Sequence, residues 1–271
     1  MRVIATRAFC MAVALLAAAP AAAQSGGDQS DKGLQGIVSA GAGFVPDYEG
    51  SSRSTLVPYA EARVNLGNYY AAFEGDDLRF NLVDSSHFHA GPLIGFRRAR
   101  SHVDSKMVSR MRRVDHSFTA GGFVEYEHIA ADPRSGESVT LMAGKSVIGA
   151  DSGITATLRA EAHRPLKFID PGLIATIEAD TDWADRDYMR TYFDVDPADS
   201  AASGLPVFRA HSGFKSVGAA IAVDQFLSRK WAVGVRFHYA RLLGDAADSP
   251  VTSIAGSPNQ TFVGFVVSYV L

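Results

Sequence analysis

Cysteine is nearly absent: Cys10 is the one thiol in 271 residues, which excludes a small disulfide scaffold and a cysteine-based metal module. An excess of basic charge is also missing. Lys and Arg number 26 against 29 Asp and Glu, a formal net charge of −3, so the chain lacks the footprint of a nucleic-acid binder. Beyond the first two dozen residues no apolar run reaches the 18 or more residues a membrane helix needs. Proline is sparse at 11 residues, while 25 Gly, 16 Phe and 9 Tyr are plentiful, and a hydrophobic share of 47% excludes a disordered chain.

The N-terminus reads as an export signal. Arg2 and Arg7 precede an apolar stretch from position 8 to 19, followed by Pro20 and the small-residue site Ala21-Ala22-Ala23. Cleavage after Ala23 assigns residues 1–23 to a signal peptide, residues 24–33 to a short periplasmic tail, and residues 34–271 to one domain. Cys10 leaves with the signal and does not sit at the cleavage site, so the pattern is not that of a lipoprotein. An exported chain without cysteine fits a bacterial envelope protein stabilised by means other than disulfides.

From residue 35 onward the chain alternates with period two, in segments of about ten residues separated by Gly, Asp, Ser and Pro. Between Trp231 and Arg241 one face carries Trp231, Val233, Val235, Phe237 and Tyr239, and the other carries Gly234, Arg236 and His238. Likewise Ile154, Ala156, Leu158 and Ala160 oppose Arg159, Glu161 and His163. A soluble sandwich and an outer-membrane barrel share this alternation, one burying the apolar face in a core and the other giving it to lipid. Four features favour the barrel. Ionisable groups are mixed with Gly and Ala on the polar face, and aromatics (Trp231, Tyr239, Tyr126, Tyr269) sit at segment ends, where interface girdles lie. The sequence also ends on an amphipathic strand and pairs export with a lack of disulfides.

Strands are expected near 35–45, 55–66, 68–75, 77–84, 86–98, 116–128, 136–148, 153–164, 168–181, 213–226, 231–243 and 260–271. This gives an all-β transmembrane antiparallel barrel of twelve strands, ten being the alternative count. With the N-terminus periplasmic, every long connection falls on the outer side, at 46–54, 99–115, 149–152, 182–212 and 244–259. Two expectations sit awkwardly: the strands flanking Asp76 are shorter than the 9–11 residues of a full crossing, and alternation puts Lys145 on the lipid face unless a bulge intervenes.

Several constellations suggest sites. Arg159, Glu161, His163, Asp224, Arg236 and His238 are candidate lumen residues, able to line a pore or to pair across it and seal it. The aromatic segment with Trp183, Tyr188, Tyr192 and Phe193 is expected to pack on the rim or fold into the mouth. The basic segment containing Arg98, Arg100, Arg110, Arg112 and Arg113 either meets lipopolysaccharide phosphates through guanidinium contacts or is a solvated loop, the second being favoured. His87-x-His89 places two imidazoles on one strand face but lacks a nameable third metal ligand. The pairs His116-Ser117 and His211-Ser212 point to opposite faces, and no nucleophile motif is present, so no catalytic residue, metal or cofactor is assigned.

At its motifs the chain resembles the MipA/OmpV family of Gram-negative outer-membrane proteins, also called MltA-interacting proteins. The resemblance rests on Pro46-Asp47-Tyr48-Glu49-Gly50-Ser51, then Trp183-Ala184-Asp185 with Tyr188-Met189 and Thr191-Tyr192-Phe193, then Ser200-Ala201-Ala202-Ser203-Gly204-Leu205-Pro206, then Arg241-Leu242-Leu243-Gly244-Asp245 and Gly256-Ser257-Pro258-Asn259-Gln260. It departs at Asp194, where the family usually has Gly, and at Leu271, where it ends on an aromatic. The resemblance implies a barrel in the cell outer membrane, in contact with lipid and lipopolysaccharide. It further implies a non-enzymatic scaffold joining a murein lytic transglycosylase to a bifunctional murein polymerase; a small-solute or antibiotic-permeable pore and a surface adhesin are the alternatives.

Overall fold

The computed structural model describes residues 34–271, and the expected signal peptide and periplasmic tail lie outside the described residues. Twelve strands form a closed antiparallel barrel: β1 Gln35–Pro46, β2 Ser54–Leu66, β3 Tyr69–Glu74, β4 Asp77–Asn81, β5 Phe88–Arg97, β6 Ser117–Ile129, β7 Gly136–Gly149, β8 Ile154–Pro165, β9 Leu173–Ala184, β10 Gly213–Phe226, β11 Trp231–Leu242 and β12 Asn259–Val270. Each strand pairs with its sequence neighbour, and β1 closes on β12 from Ile37↔Val270 to Phe44↔Val263. Among the described residues no helix is long and apolar enough to cross a membrane.

Closure follows from the alternation. Residues opposite one another on a ladder share a face, so the pairs Arg159↔Asp180 and Ala220↔His238 point into the lumen, while Val235↔Phe265 and Phe237↔Val263 point out. The outer face is apolar and exposed, with Phe44, Ile94, Leu141, Ile177, Val235 and Phe265 each between 48% and 59% accessible. In water such a surface would aggregate; in lipid it is the solvated face. Trp231 and Tyr269 meet edge to face at 4.9 Å at the periplasmic rim, the depth at which amphipathic rings settle.

Twelve strands match the expected count, with three local differences. β9 begins at Leu173 because Asp170 closes a turn ahead of it, accepting from the Gly172 N–H at 2.7 Å. β4 stops at Asn81 because the Asn81 side chain takes over the ladder, Oδ1 accepting from Val83 N at 3.1 Å and Ala90 N at 3.0 Å. A bulge does interrupt β6–β7, but beyond Lys145, between Phe118↔Ile148 and Thr119↔Ser146, so Lys145 keeps its outward position, paired with Ala120 and Ile154.

The β3–β4 hairpin reaches only partway up the wall. β2 pairs with β3 from Glu61 to Leu66, so Ser54–Tyr59 have a ladder partner on the β1 side alone. The hairpin tip is held by Gly75 N to Ala60 O at 3.3 Å and Phe96 N to Asp76 O at 2.9 Å.

Glycine is required where strand backbones approach most closely. At Gly41 an added Cβ would stand 1.8 Å from the Phe265 carbonyl oxygen across the closing seam, whereas at Gly213 it would meet nothing within 4 Å. Gly41→Val should therefore abolish the folded, heat-modifiable band on semi-native electrophoresis, and Gly213→Ala should leave it intact.

Candidate functional site

The lumen is crossed by ion pairs. Arg159 on β8 reaches Glu74 on β3 at 2.7 Å, five strands away around the wall. Arg236 on β11 joins Glu61 on β2 at 2.5 Å and its neighbour Asp224 at 3.0 Å. Arg63 pairs with Glu127 at 3.0 Å, and Arg79 lies 3.5 Å from Glu125. Pairs of this kind add little net stability because both partners are desolvated, but a charge left alone there would be costly. Their effect is to occupy the bore.

Of the six residues expected to face the lumen, all lie on the inward-facing ladder positions, and the structure draws them into separate groups. Arg159 and the Asp224–Arg236 pair belong to the crossing network just described. His238 Nε2 meets Asp180 Oδ1 at 2.8 Å. His163 Nδ1 stands 4.0 Å from Glu161 Oε1, toward the periplasmic end. His89 is buried, with Nε2 3.1 Å from Glu127, while His87 stays exposed and contacts the Glu127 carbonyl, so the two imidazoles do not converge.

The outer mouth carries a packed cap. The connection between β9 and β10 folds into helix α1, Arg186–Phe193, and helix α2, Pro197–Ser203. Asp185 caps α1 by accepting from Tyr188 N, and Asp196 caps α2, whose Pro197 sits where a helix needs no N–H. Gly204 ends α2 in the left-handed region at φ 81°. Two further short helices, α3 Gly244–Asp248 and α4 Pro250–Ser253, lie in the connection before β12. The sequence led to an expectation of aromatic packing on the rim or in the mouth, and Asp185, Asp196 and Pro197 are the residues that turn this segment helical.

The aromatic segment divides. Trp183, next to last in β9, stands opposite Phe214 on the outward face, whereas Tyr188, Tyr192 and Phe193 are buried in the cap with Met189, Ala210 and Ala246. Tyr48, Val103, Val108, Met111, Val195, Leu205 and Val251, contributed by four connections, form the adjoining cluster. Polar contacts tie the cap to the wall. Tyr188 Oη donates to Glu49 at 2.6 Å, Glu49 takes Lys215 at 2.5 Å, and Tyr192 Oη donates to Asp151 at 3.2 Å.

The basic segment is part of this cap and not the solvated loop expected. Arg100 is 4% exposed and donates to the Tyr192 carbonyl at 2.6 Å; burial, reinforced by nearby Arg112, pushes its guanidinium down to about 10. Arg100 is thus turned away from any lipid headgroup. Arg112 is held by Asp196 and Asp199, and Arg98, Arg110 and Arg113 are exposed at the surface, Arg98 touching the Pro46 carbonyl at 3.5 Å. Val103, Val108, Met111 and Val114, spaced among the charges, are the apolar signal that marks a packed segment.

At the opposite end two periplasmic turns are clamped together. Asp132 accepts from Arg134 at 3.1 Å and from Lys167 at 2.7 Å, Arg134 donates to the Pro171 carbonyl at 3.1 Å, and Asp170 accepts from Gln225 at 3.1 Å. The clamped turns present Phe168, 85% exposed, and Ile169, 63% exposed.

A closed twelve-stranded barrel with an apolar belt, aromatic rim, charge-filled lumen and long connections on one side is an outer-membrane β-barrel. The chain belongs to the MltA-interacting protein MipA family, whose model matches residues 38–271. No curated protein matches the chain. Among solved structures it is similar to the outer membrane channel DcaP of Acinetobacter baumannii, with 10% identity, 91% of this chain and 100% of that chain covered, and a TM-score of 0.43. It is also similar to an outer membrane channel from Pseudomonas putida F1, with 10% identity, 91% and 100% covered, and a TM-score of 0.41.

Phe193 is fully buried at the centre of the cap. Phe193→Ala should cost about 3–5 kcal/mol of cap packing while leaving the barrel wall intact. The expected readout is faster trypsin cleavage at Arg110 and Arg113 on intact cells, with the heat-modifiable band unchanged.

Proposed function

We propose that the protein is a non-enzymatic outer-membrane anchor whose periplasmic face holds a murein lytic transglycosylase and, through it, a bifunctional murein polymerase. The observation that carries this reading is the contrast between the two ends. The outer mouth is spent on its own packing, and the lumen on its own ion pairs, whereas the clamped turns at 130–135 and 166–172 offer Phe168 and Ile169 to the periplasm. An exposed aromatic on a rigid base is the kind of anchor that dominates protein interfaces. The family's name, MltA-interacting protein, agrees with this assignment. On the same reading residues 1–23 are removed on export, and residues 24–33 are a short periplasmic tail.

The cap and the lumen pairs weigh against a pore. They also weigh against an adhesin, since most apolar side chains of the outer connections are packed on one another. In planar bilayers the purified barrel should be silent; steady conductance steps would favour the pore. A photo-crosslinking residue at position 168 should capture a murein transglycosylase from the envelope, and Phe168→Ser with Ile169→Ser should cut capture by roughly tenfold or more. Recovery of no murein enzyme by the folded barrel would overturn the anchor reading.

The clamp has a defined acid limit. Hydrogen bonds from Arg134 and then Lys167 hold the Asp132 carboxyl well below the usual carboxylate range. A depressed carboxylate stabilises the fold fully above its unfolded value and loses that contribution only as pH falls through the folded one. Capture should therefore be equal at pH 7.5 and 6, and Asp132→Asn should weaken it at both.

A further inference from the structure

Two places in the lumen bring one histidine and two carboxylates within 4.8 Å of one another: His89 with Glu125 and Glu127, and His238 with Glu178 and Asp180. The first is a closed hydrogen-bond set. The Asn81 amide, which also donates to the carbonyls of Asn68 and Val83, lies 3.1 Å from His89 Nδ1 and so leaves the imidazole proton on Nε2, aimed at Glu127. Glu127 also accepts from Arg63, and Glu125 accepts from Tyr70 and Thr140 and faces Arg79. Both carboxylates and both ring nitrogens there are thus engaged by neighbouring side chains.

The second is less engaged: neither of its carboxylates accepts a hydrogen bond from a hydroxyl or a guanidinium. Glu178 and Asp180 stand two apart on one face of β9, and His238 comes from β11, with β10 between them. They meet because the intervening residues are small: Ala220 stands opposite both Glu178 and His238, and Gly218 stands opposite Asp180. A Cβ at position 218 would lie 2.5 Å from Asp180 Oδ1 and 2.7 Å from His238 Nε2, so the meeting of the two side chains occupies the space that glycine leaves. The Asp180 side chain is 8% exposed, and His238 is its one hydrogen-bond partner among the described residues. The Glu178 side chain is 13% exposed; Arg159 Nε stands 3.3 Å from it without forming a hydrogen bond, and that guanidinium is committed to Glu74. A nearly buried carboxylate with unused lone pairs, beside an imidazole 35% exposed to the lumen, is a ligand set facing an access route.

We propose that His238, Asp180 and Glu178 bind a divalent first-row transition cation of the zinc class inside the lumen. The imidazole selects against Mg2+ and Ca2+, which prefer all-oxygen sites. Three protein ligands leave the fourth tetrahedral position to a lumen water. Bonds of about 2.0–2.2 Å require Asp180 and His238 to part slightly and Glu178 to draw in, and the partly exposed His238 imidazole has room to shift. A metal needs the neutral imidazole and ionised carboxylates, so affinity rises with pH.

The test uses the folded barrel in detergent, titrated with Co2+ followed by its visible absorption and with Zn2+ by calorimetric competition. One equivalent should bind, with a tetrahedral cobalt spectrum. His238→Ala and Asp180→Asn should each weaken binding tenfold or more, while His163→Ala, altering a lumen histidine outside the site, leaves it unchanged. All variants are compared only where the heat-modifiable band shows a folded barrel. Absence of saturable binding by the unaltered protein, or an unchanged titration with His238→Ala, would overturn the proposal.

Discussion

Backbone hydrogen bonding in lipid is the constraint from which the rest of the molecule follows. An N–H or C=O left without a partner in hydrocarbon costs several kcal/mol, and a sheet satisfies its groups only by closing. The seam between β1 and β12 is therefore the step that makes the other eleven ladders tolerable, and Gly41 sits within it because a side chain would collide with the Phe265 carbonyl. Closure in turn decides the two faces. Once the outward positions belong to lipid, every ionisable group on a strand has only the lumen to occupy, except at the rims.

A lumen filled in this way must balance its own charge. Arg159 and Arg236 are long enough to find carboxylates on distant strands, and they do so at Glu74 and Glu61. The small residues on the polar face, such as Gly218 and Ala220, give these side chains room to meet. The cap above follows the same logic at larger scale: buried apolar side chains from several connections replace water at the mouth, and tyrosine hydroxyls carry the polar ends to Glu49 and Asp151.

Strand number and the inward position of Arg159, Glu161, Asp224 and His238 were legible because period-two alternation encodes face directly. What the side chains do once inside was not legible, since the partner of Arg159 lies 85 residues away in sequence and only closure brings it near. The cap was legible only in its aromatic half. Tyr188, Tyr192 and Phe193 announced burial, but Val103, Val108 and Met111 are diluted among arginines, and charge dominated the reading of that segment. Asp185 and the Asp196-Pro197 step signal helix starts on physical grounds, and weighing them would have recovered α1 and α2.

The half-height hairpin gives the wall an uneven rim. At about 3.3 Å per residue, the six residues of β3 rise about half as far as the twelve or thirteen of β1 and β2. Along Ser54–Tyr59 the free side of β2 is a sheet margin inside an otherwise marginless structure, and Pro58, which has no N–H to leave unpaired, stands in it. The barrel thus has a front and a back. The flank of β3 and β4 therefore offers lipid a shorter strand wall than the flank opposite.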